Sequence, residues 1–219
     1  MKKLKNIIFF IFISIVLFSC GQNSNKTETK KEQKEQKDLS KYSQATFASG
    51  CFWCMEGVFE SVKGVGEAIS GYAGGKEPNP TYELVGSHTT NYAETVQVYY
   101  DSSVVTYPTL LKVYFGSQDP TQVNGQGPDE GESYRSIIFY RNPTEKKEIE
   151  NYIAEIQKNY DKPIAAQVVP FEKFWMAEDY HQDYIKNNPD VPYVKMESIP
   201  RIKRFQKQYP ELIKQDHKF

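Results

Sequence analysis

Cysteine is scarce in this sequence, since Cys20, Cys51 and Cys54 are the only three in 219 residues. So low a number excludes a small domain that is held together mainly by disulfides. A structural zinc site needs about four ligands, whereas no second Cys-x-x-Cys pair occurs and the three histidines are scattered: His88, His181 and His217. The sequence therefore argues against zinc, and we expect no metal.

An excess of charge of either sign is also missing. Lys and Arg number 27 against 28 Asp and Glu, which gives a formal net charge of −1. This balance argues against nucleic acid or any strongly acidic partner as a bulk electrostatic target. What the sequence does contain is length enough for one ordinary domain with a core and many aromatic residues, 14% in total.

The N-terminal residues combine a basic start with a short apolar run. The run from Ile7 to Phe18 is shorter than the roughly 20 residues of a membrane span. It suits the apolar core of an export signal, which has about 7–15 residues. The following Leu-Phe-Ser-Cys resembles a bacterial lipoprotein signal, so we expect residues 1–19 to be removed and Cys20 to carry lipid. An ordinary signal peptide, or an anchor with a chance cysteine, remains open; each reading places the domain in the cell envelope.

The next segment is polar throughout, because Gln22 to Asp38 contains no apolar residue. Such a segment cannot bury enough surface to offset the entropy lost on folding. We therefore expect residues 20–43 to form a lipidated cysteine and a disordered polar tether. The folded domain is expected over residues 44–200, and residues 201–219 are expected to form a basic C-terminal tail on the surface.

Within that domain, strand and helix patterns mix without strict alternation, which predicts an α+β layer fold. Strands are predicted at residues 45–48, 65–72, 94–101, 134–140 and 167–169. Helices are predicted after Cys51 and at residues 107–117, 142–161 and 177–188, with Asn142 as a cap. Residues 119–133 form a Gly- and Pro-rich loop that is long enough to be a candidate site.

Cys51 and Cys54 lie where the first strand meets the first helix. A helix N-terminus stabilises a thiolate, so the position predicts a lowered pKa for Cys51. A disulfide across so short a loop would add little stability, and redox or nucleophilic work is therefore favoured over a structural link. Two alternatives stay open: a thioredoxin-like oxidoreductase, and a lipoprotein without catalysis that binds a partner through its aromatic residues.

Six segments together resemble the A-type peptide methionine sulfoxide reductase family: GCFWCMEGVF, GYAGG, NPTYE, YAETVQVYYD, QGPDEGESYRS and AEDYHQDY. They occur in the order of that family, from about Thr46 to about Pro192. The resemblance implies a two-layer α/β sandwich with a ferredoxin-like core and a mixed sheet. It also implies reduction of methionine S-sulfoxide, free or in proteins, without a cofactor and with electrons usually from thioredoxin.

The resemblance assigns the chemistry to particular residues. Cys51 matches the nucleophile, whose thiolate would attack the sulfoxide sulfur and become a sulfenic acid. Glu94 matches the acid that protonates the sulfoxide oxygen. Glu94 also shares one face of an alternating strand with Val96 and Val98, so a raised pKa is expected. Without the resemblance to the family, Glu94 could equally well be a charged residue at a frayed strand end outside the core.

The remaining family positions surround the sulfoxide. Tyr82 and Tyr134 match two phenols that hydrogen-bond its oxygen, and Asp129 matches an acid that organises the pocket. Phe52 and Trp53 match the apolar wall that receives the S-methyl group. Without the resemblance, we would interpret these aromatic residues as part of the core. Asp129 would then be a solvent-exposed residue of a turn.

Two departures from the family concern Tyr92, where histidine is common, and the regenerating cysteines that many members carry near the C-terminus. No cysteine follows Cys54 in this sequence. Cys54 is therefore the candidate that resolves the sulfenic acid, giving a Cys51–Cys54 disulfide for an exported thioredoxin-like reductant to reopen. We expect a monomer that reaches the membrane through lipid on Cys20, and a structural role for His181.

Overall fold

The computed structural model describes residues 37–217, and the chain forms a compact unit from Asp38 onward. The expected signal peptide, Cys20 and most of the tether lie outside the described residues. Over the part that is described, no helix has both the length and the apolar character needed to cross a membrane.

The central sheet is mixed and has six strands. Their bounds are β1 Ser43–Ala48, β2 Val65–Ala73, β3 Ala93–Tyr100, β6 Ile137–Tyr140, β7 Gln167–Pro170 and β8 Phe174–Met176, while β4 Gly125–Gln126 and β5 Asp129–Glu130 form a separate hairpin. The spatial order is β7-β6-β1-β3-β2-β8. Only the β6–β7 pair is parallel among these described strands.

Within residues 37–217, six α-helices connect and cover the strands: α1 Phe52–Glu60, α2 Tyr82–Gly86, α3 Tyr107–Gly116, α4 Pro143–Ile156, α5 Tyr184–Asn187 and α6 Ile199–Gln208. Helix α1 follows β1 and α3 follows β3, so β1, β2, β3 and β6 form a β-α-β-β-α-β unit in the order β6-β1-β3-β2. This is the ferredoxin-like arrangement. The α+β fold with a mixed sheet is therefore confirmed.

Strand β3 occupies the middle of the sheet and is buried on both faces. Glu94, Val96 and Val98 are at most 3% exposed, and Thr95 on the opposite face is 1% exposed. Helix α1 packs against β2 and β3. A carboxyl group on the inner face of β3 is thereby held in the core, directly beneath the start of α1.

Local signals located several elements correctly. Asn142 caps α4 by accepting a 2.9 Å hydrogen bond from the Glu145 N–H, which ties down an N–H that the helix leaves free. Thr81 caps the short helix α2 in the same way, since its side chain accepts a hydrogen bond from the Leu84 N–H.

The helix predicted over residues 177–188 is wrong. Asp183 has a left-handed φ of +53°, which interrupts any continuous helix. The segment instead forms a 3₁₀ turn at Asp179–His181 followed by α5.

The residues after 200 contribute to the domain core, contrary to the expectation of a surface tail. Helix α6 crosses that boundary, follows a π-helical turn at Val194–Ser198 and packs on α1. Its side chains Ile202 and Phe205 are 0% and 1% exposed. The basic residues between them hid this apolar spacing in the sequence.

Candidate active site

The turn between β1 and α1 presents Cys51 as the residue that precedes the first helical position. Gly50 in this turn has φ +63°, and a Cβ atom added there would lie 2.5 Å from Gln126 Cβ. Only glycine fits such a backbone without strain. Cys51 and Cys54 are free thiols and are 5% and 2% exposed, so the turn holds a buried thiol pair within one helical turn.

Two acidic side chains bind the first N–H groups of α1. The Phe52 N–H donates a 3.0 Å hydrogen bond to Glu94 Oε2, and the Cys51 N–H donates to the Asp129 carboxylate. The first N–H groups of a helix have no partner within the helix. The acids therefore take positions that would otherwise face solvent, and both lie beside Cys51.

Glu94 is the more deeply buried of the two acids, at 3% exposure. Burial raises the pKa of Glu94 to about 8, although the hydrogen bond from Phe52 opposes this shift. At neutral pH the carboxyl group therefore keeps its proton and can donate it. A frayed strand end is ruled out, since β3 pairs Glu94 with Tyr72 of β2.

The thiol pair reverses the expected order of acidity. Burial raises the pKa of Cys51 well above its usual range, and Cys54, Glu94 and Asp129 add to the rise. A hydrogen bond from Cys51 lowers the pKa of Cys54 to about 6 against its burial, with help from the Arg201 charge. The prediction of a lowered Cys51 pKa is wrong because burial of the thiol, together with the groups around it, outweighs the effect of the helix N-terminus.

Tyr82 is half-buried and is held at two points. Its N–H donates a 3.0 Å hydrogen bond to Glu178 Oε1, and its ring stacks on Phe52 with centroids 6.2 Å apart. Burial and the Glu94 charge raise the pKa of its hydroxyl. The phenol therefore stays protonated near neutral pH and can donate a hydrogen bond.

Tyr134 lies across from Tyr82 and is tied to the catalytic turn through its backbone. Its carbonyl accepts a 3.0 Å hydrogen bond from the Gly50 N–H. Burial raises the pKa of its hydroxyl, and the charges of Glu94, Tyr82 and Cys51 contribute. The structure thus places both phenols within electrostatic range of Cys51 and Glu94, while the roles assigned to them stay predictions.

The two aromatic residues after Cys51 differ in exposure. Phe52 is 1% exposed and offers only an edge, whereas Trp53 is half-buried. Trp53 stacks on Tyr184 with centroids 3.7 Å apart, and its Nε1–H donates a 3.1 Å hydrogen bond to His181 Nδ1. Burial lowers the pKa of His181, so this neutral ring orients Trp53, which agrees with the structural role expected for it.

Tyr92 serves the loop beside the site. Its hydroxyl donates a 2.5 Å hydrogen bond to the Glu77 carbonyl. A Cβ atom at Gly75 would lie 2.3 Å from the Tyr92 ring, so glycine permits the close packing of loop and ring. The hydroxyl of Tyr92 is therefore engaged in holding this loop.

Three residues of the site were missed in the sequence: Tyr193, Ser198 and Arg201. The Tyr193 hydroxyl donates a 2.7 Å hydrogen bond to Asp129 Oδ2, so it orients the acid that binds the Cys51 N–H. Ser198 Oγ lies 3.3 Å from Cys54 Sγ. Together with Cys54, Tyr193 and Arg201 line a cavity of about 360 Å³. No local signal marks them, since each contacts residues that are distant in the chain.

A separate group of carboxylates has spacing that could suit a metal ion. Oxygens of Glu56, Glu60 and Asp183 lie within 4.8 Å of one another. Glu56 already accepts hydrogen bonds from the Ser70 hydroxyl at 2.6 Å and the Asp183 N–H at 2.7 Å. Burial raises the pKa of Glu56 to about 8 and that of Glu60 to about 7, so protonation reduces the negative charge of this cluster near neutral pH.

Known proteins are similar to this chain in sequence. Residues 43–213 match the family described as peptide methionine sulfoxide reductase. The peptide methionine sulfoxide reductase MsrA of Sulfolobus acidocaldarius is 46% identical over 167 residues, which are 76% of this chain and 95% of that protein. The MsrA of Thermus thermophilus is 42% identical over 170 residues, 78% of this chain and 97% of that protein.

Solved structures share the fold. Reduced Mxr1 from Saccharomyces cerevisiae has a TM-score of 0.66 and 35% sequence identity, covering 70% of this chain and 89% of that chain. Methionine sulfoxide reductase A of Corynebacterium diphtheriae has a TM-score of 0.62 and 32% identity, covering 68% and 76%. By sequence over most of its length and by fold, the chain belongs to the peptide methionine sulfoxide reductase family.

Proposed function

We propose that the protein reduces methionine S-sulfoxide, free or in oxidised proteins, with Cys51 as nucleophile and Glu94 as acid. The observation that carries this proposal is the single helix start where a buried thiol pair meets a buried, protonated carboxyl group. Two phenols kept protonated by their surroundings complete the set. A disulfide exchange enzyme would have no use for Glu94, Tyr82 and Tyr134 in this arrangement.

In the first step, Cys51 passes its thiol proton to the more acidic Cys54. The Cys51 sulfur then attacks the sulfoxide sulfur while Glu94 gives a proton to the sulfoxide oxygen. The S–O bond of the substrate breaks, and the oxygen passes to Cys51 as a sulfenic acid. Methionine leaves, reduced by two electrons. The protonated state of Glu94 matters because an unprotonated oxide is a poor leaving group.

The walls of the site orient the substrate. The hydroxyls of Tyr82 and Tyr134 donate hydrogen bonds to the sulfoxide oxygen, and their raised pKa values keep them as donors. Trp53 and the edge of Phe52 receive the S-methyl group. Asp129 fixes the catalytic turn through the Cys51 N–H. An oxygen and a methyl group held on different walls favour one sulfoxide epimer, and the resemblance to the A-type family implies that it is the S form.

In the second step, the Cys54 sulfur attacks the Cys51 sulfenic acid, which forms a disulfide and releases water. This assignment is supported by the position of the two free thiols within one turn at the start of α1 and by the absence of a cysteine after Cys54 in this sequence. An external dithiol of the thioredoxin type then reduces the disulfide. The balance is one sulfoxide and two thiols giving methionine, one disulfide and water.

The same proposal places the enzyme in the cell envelope, anchored by lipid on Cys20. Its support is the basic start, the apolar run and the Leu-Phe-Ser-Cys segment. Metabolic labelling with a radioactive fatty acid tests it, with Cys20→Ser as the control. We expect the wild-type chain to carry the label and to fractionate with membranes, and Cys20→Ser to lose both properties. A wild-type chain without label would contradict the lipid anchor.

The activity is tested on the full chain carrying Cys20→Ser, which leaves Cys51 and Cys54 as the only thiols. The separated S and R sulfoxides of a blocked methionine are supplied with dithiothreitol, and products are separated by chromatography. Conversion of the S form alone is expected, with none in Cys51→Ser. Reduction of insulin disulfides with no sulfoxide conversion would contradict the proposal in favour of a thioredoxin-like enzyme.

The role of Cys54 has its own test with a thioredoxin-type reductant. In Cys54→Ser, we expect about one methionine per chain and then arrest, because the sulfenic acid has no partner thiol. Many turnovers in Cys54→Ser would replace the disulfide with direct reduction of the sulfenic acid.

A further inference from the structure

We propose that Ser198 and Arg201 form a site that holds Cys54 as a thiolate, and that both are positioning residues for disulfide formation. This inference rests on the proposed role of Cys54 as the resolving thiol. It concerns residues of the π turn and α6, which follow the six segments quoted from the sequence.

Arg201 is a buried cation with neutral partners, at 8% exposure. Its Nε donates to the Ser117 carbonyl at 2.8 Å and its Nη1 to the Ser49 carbonyl at 3.2 Å. Its Nη2 donates to Ser49 Oγ at 3.3 Å and to Met55 Sδ at 3.1 Å. A buried charge is costly unless an opposite charge compensates it.

No carboxylate supplies that compensation at salt-bridge distance among the residues that the structure describes. Cys54 lines the same cavity as Arg201 and is 2% exposed. The cationic side chain favours the anionic form of this thiol. The thiolate of Cys54 is thus an anion suited to the guanidinium group.

Ser198 supplies a second contact from the same side. It is 0% exposed, precedes α6 directly, and places Oγ 3.3 Å from Cys54 Sγ. Arg201 lies three positions after it, so one helical turn carries both groups toward α1. When Cys54 is ionised, the serine hydroxyl donates its hydrogen to the sulfur.

The other groups around Cys54 do not provide this stabilisation, apart from the hydrogen bond from Cys51. Asp129 opposes the Cys54 thiolate. Glu94 and Tyr193 also lie within range of the Cys54 charge, and both stay protonated at neutral pH. Once Cys51 is oxidised and its thiol hydrogen is gone, Ser198 and Arg201 are left to favour the thiolate.

The chemistry of regeneration needs that thiolate twice. Cys54 attacks the sulfur of the Cys51 sulfenic acid; the S–S bond forms, the S–O bond breaks, and hydroxide leaves as water with a proton from solvent. When an external thiolate later attacks Cys51, Cys54 is the leaving group. A leaving thiol of low pKa departs faster, so Arg201 assists both steps.

The test uses the full chain with Cys20→Ser, one equivalent of S-sulfoxide and no reductant, sampled by rapid quench. Methionine is measured by chromatography and the disulfide by mass spectrometry after alkylation. In the parent chain, the disulfide keeps pace with methionine. In Arg201→Gln, methionine still reaches one per chain, but the disulfide lags at least tenfold and its pH midpoint moves upward.

Three further variants make the test specific. Arg201→Lys keeps the charge and is expected to restore the pH midpoint. Ser198→Ala is expected to slow the disulfide about threefold. Lys203→Gln removes an exposed charge of α6 that does not line this cavity, and it is expected to match the parent chain.

The outcomes separate this inference from the proposal beneath it. A parent chain that makes methionine without the disulfide would contradict the role of Cys54 itself. A parent chain that makes both, with Arg201→Gln folded and equally fast at every pH, would overturn the inference. If circular dichroism shows that Arg201→Gln does not fold, Ser198→Ala provides the test. Disulfide formation in Ser198→Ala with the rate and pH midpoint of the parent chain would overturn the inference.

Discussion

The backbone N–H of Phe52 and the side chain of Glu94 are joined by a 3.0 Å hydrogen bond. This contact links the first residue of helix α1 to the middle of the sheet, 42 positions along the chain. It fixes the carboxyl group next to the residue that precedes Phe52, which is Cys51. The position of the acid relative to the thiol therefore depends on main-chain geometry.

A first prediction concerns the proton on Glu94. Because its pKa is about 8 in the folded protein, the acid is present below that pH and lost above it. We expect kcat/KM for the S-sulfoxide to fall as pH rises through about 8. In Glu94→Gln, kcat/KM should drop about 100-fold or more, and that alkaline fall should vanish in measurements from pH 6 to 10.

The control for this prediction is Glu56→Gln, which changes another buried carboxyl group with a raised pKa. It should keep both the activity and the alkaline fall. An alkaline fall that survives in Glu94→Gln would assign the titration to another group.

A second prediction concerns the phenols. Tyr82→Phe and Tyr134→Phe each remove one donor to the sulfoxide oxygen, so kcat should fall about tenfold to 100-fold, with a smaller change in KM. Tyr160→Phe, at a hydroxyl outside the site, should match the parent chain. Steady-state kinetics with the S-sulfoxide measure these changes. An unchanged kcat in both single variants would contradict a role of the phenols in the reaction.

A third prediction concerns the turn before the nucleophile. Gly50→Ala forces a side chain into a positive φ and against Gln126 Cβ, so the free energy of unfolding should fall by about 2–4 kcal/mol. Gly86→Ala meets no atom within 4 Å and should stay within about 0.5 kcal/mol of the parent. Urea denaturation measures both, and equal losses would mean that the turn is not constrained.

A fourth prediction concerns stability and pH. The folded protein raises the pKa of Glu56 from 4.5 to about 8, so it binds that proton more tightly than the unfolded chain does. The associated stability is complete below about pH 4.5 and is lost as pH rises toward 8. In the parent chain, the free energy of unfolding falls between pH 5 and 9. In Glu56→Gln, that fall should be smaller by about 2 kcal/mol.

Thermal and urea unfolding across that range provide the measurement for Glu56. Glu155→Gln, at an exposed position of α4, should leave the pH dependence as it is. Parallel curves for Glu56→Gln and the parent chain would contradict the assignment.

Sequence patterns located those parts of the fold that depend on neighbouring residues. The alternation of Glu94, Val96 and Val98 predicted β3 and its buried face, and Asn142 predicted the start of α4. The helix predicted around His181 failed because tertiary contacts prevail there. The Gln182 amide binds the backbone of Ser70, and His181 accepts from Trp53, so the chain leaves the helical path.

The site was predictable where a motif carries it and not where distant segments meet. Cys51, Glu94 and the phenols follow from the quoted segments, whereas Arg201 binds carbonyls 84 and 152 positions earlier. The order of the two thiol pKa values depends on the same distant partners. A helix N-terminus alone suggested the opposite order, since the sequence does not show which side chains reach its N–H groups.

Both sulfurs of the thiol pair belong to one turn of α1, and the residues that support them belong to packed elements. In the proposed cycle, no arm of the chain has to swing between the oxidised and the reduced form. The backbone of the domain then keeps one conformation while the thiol pair alternates between its reduced and its oxidised form.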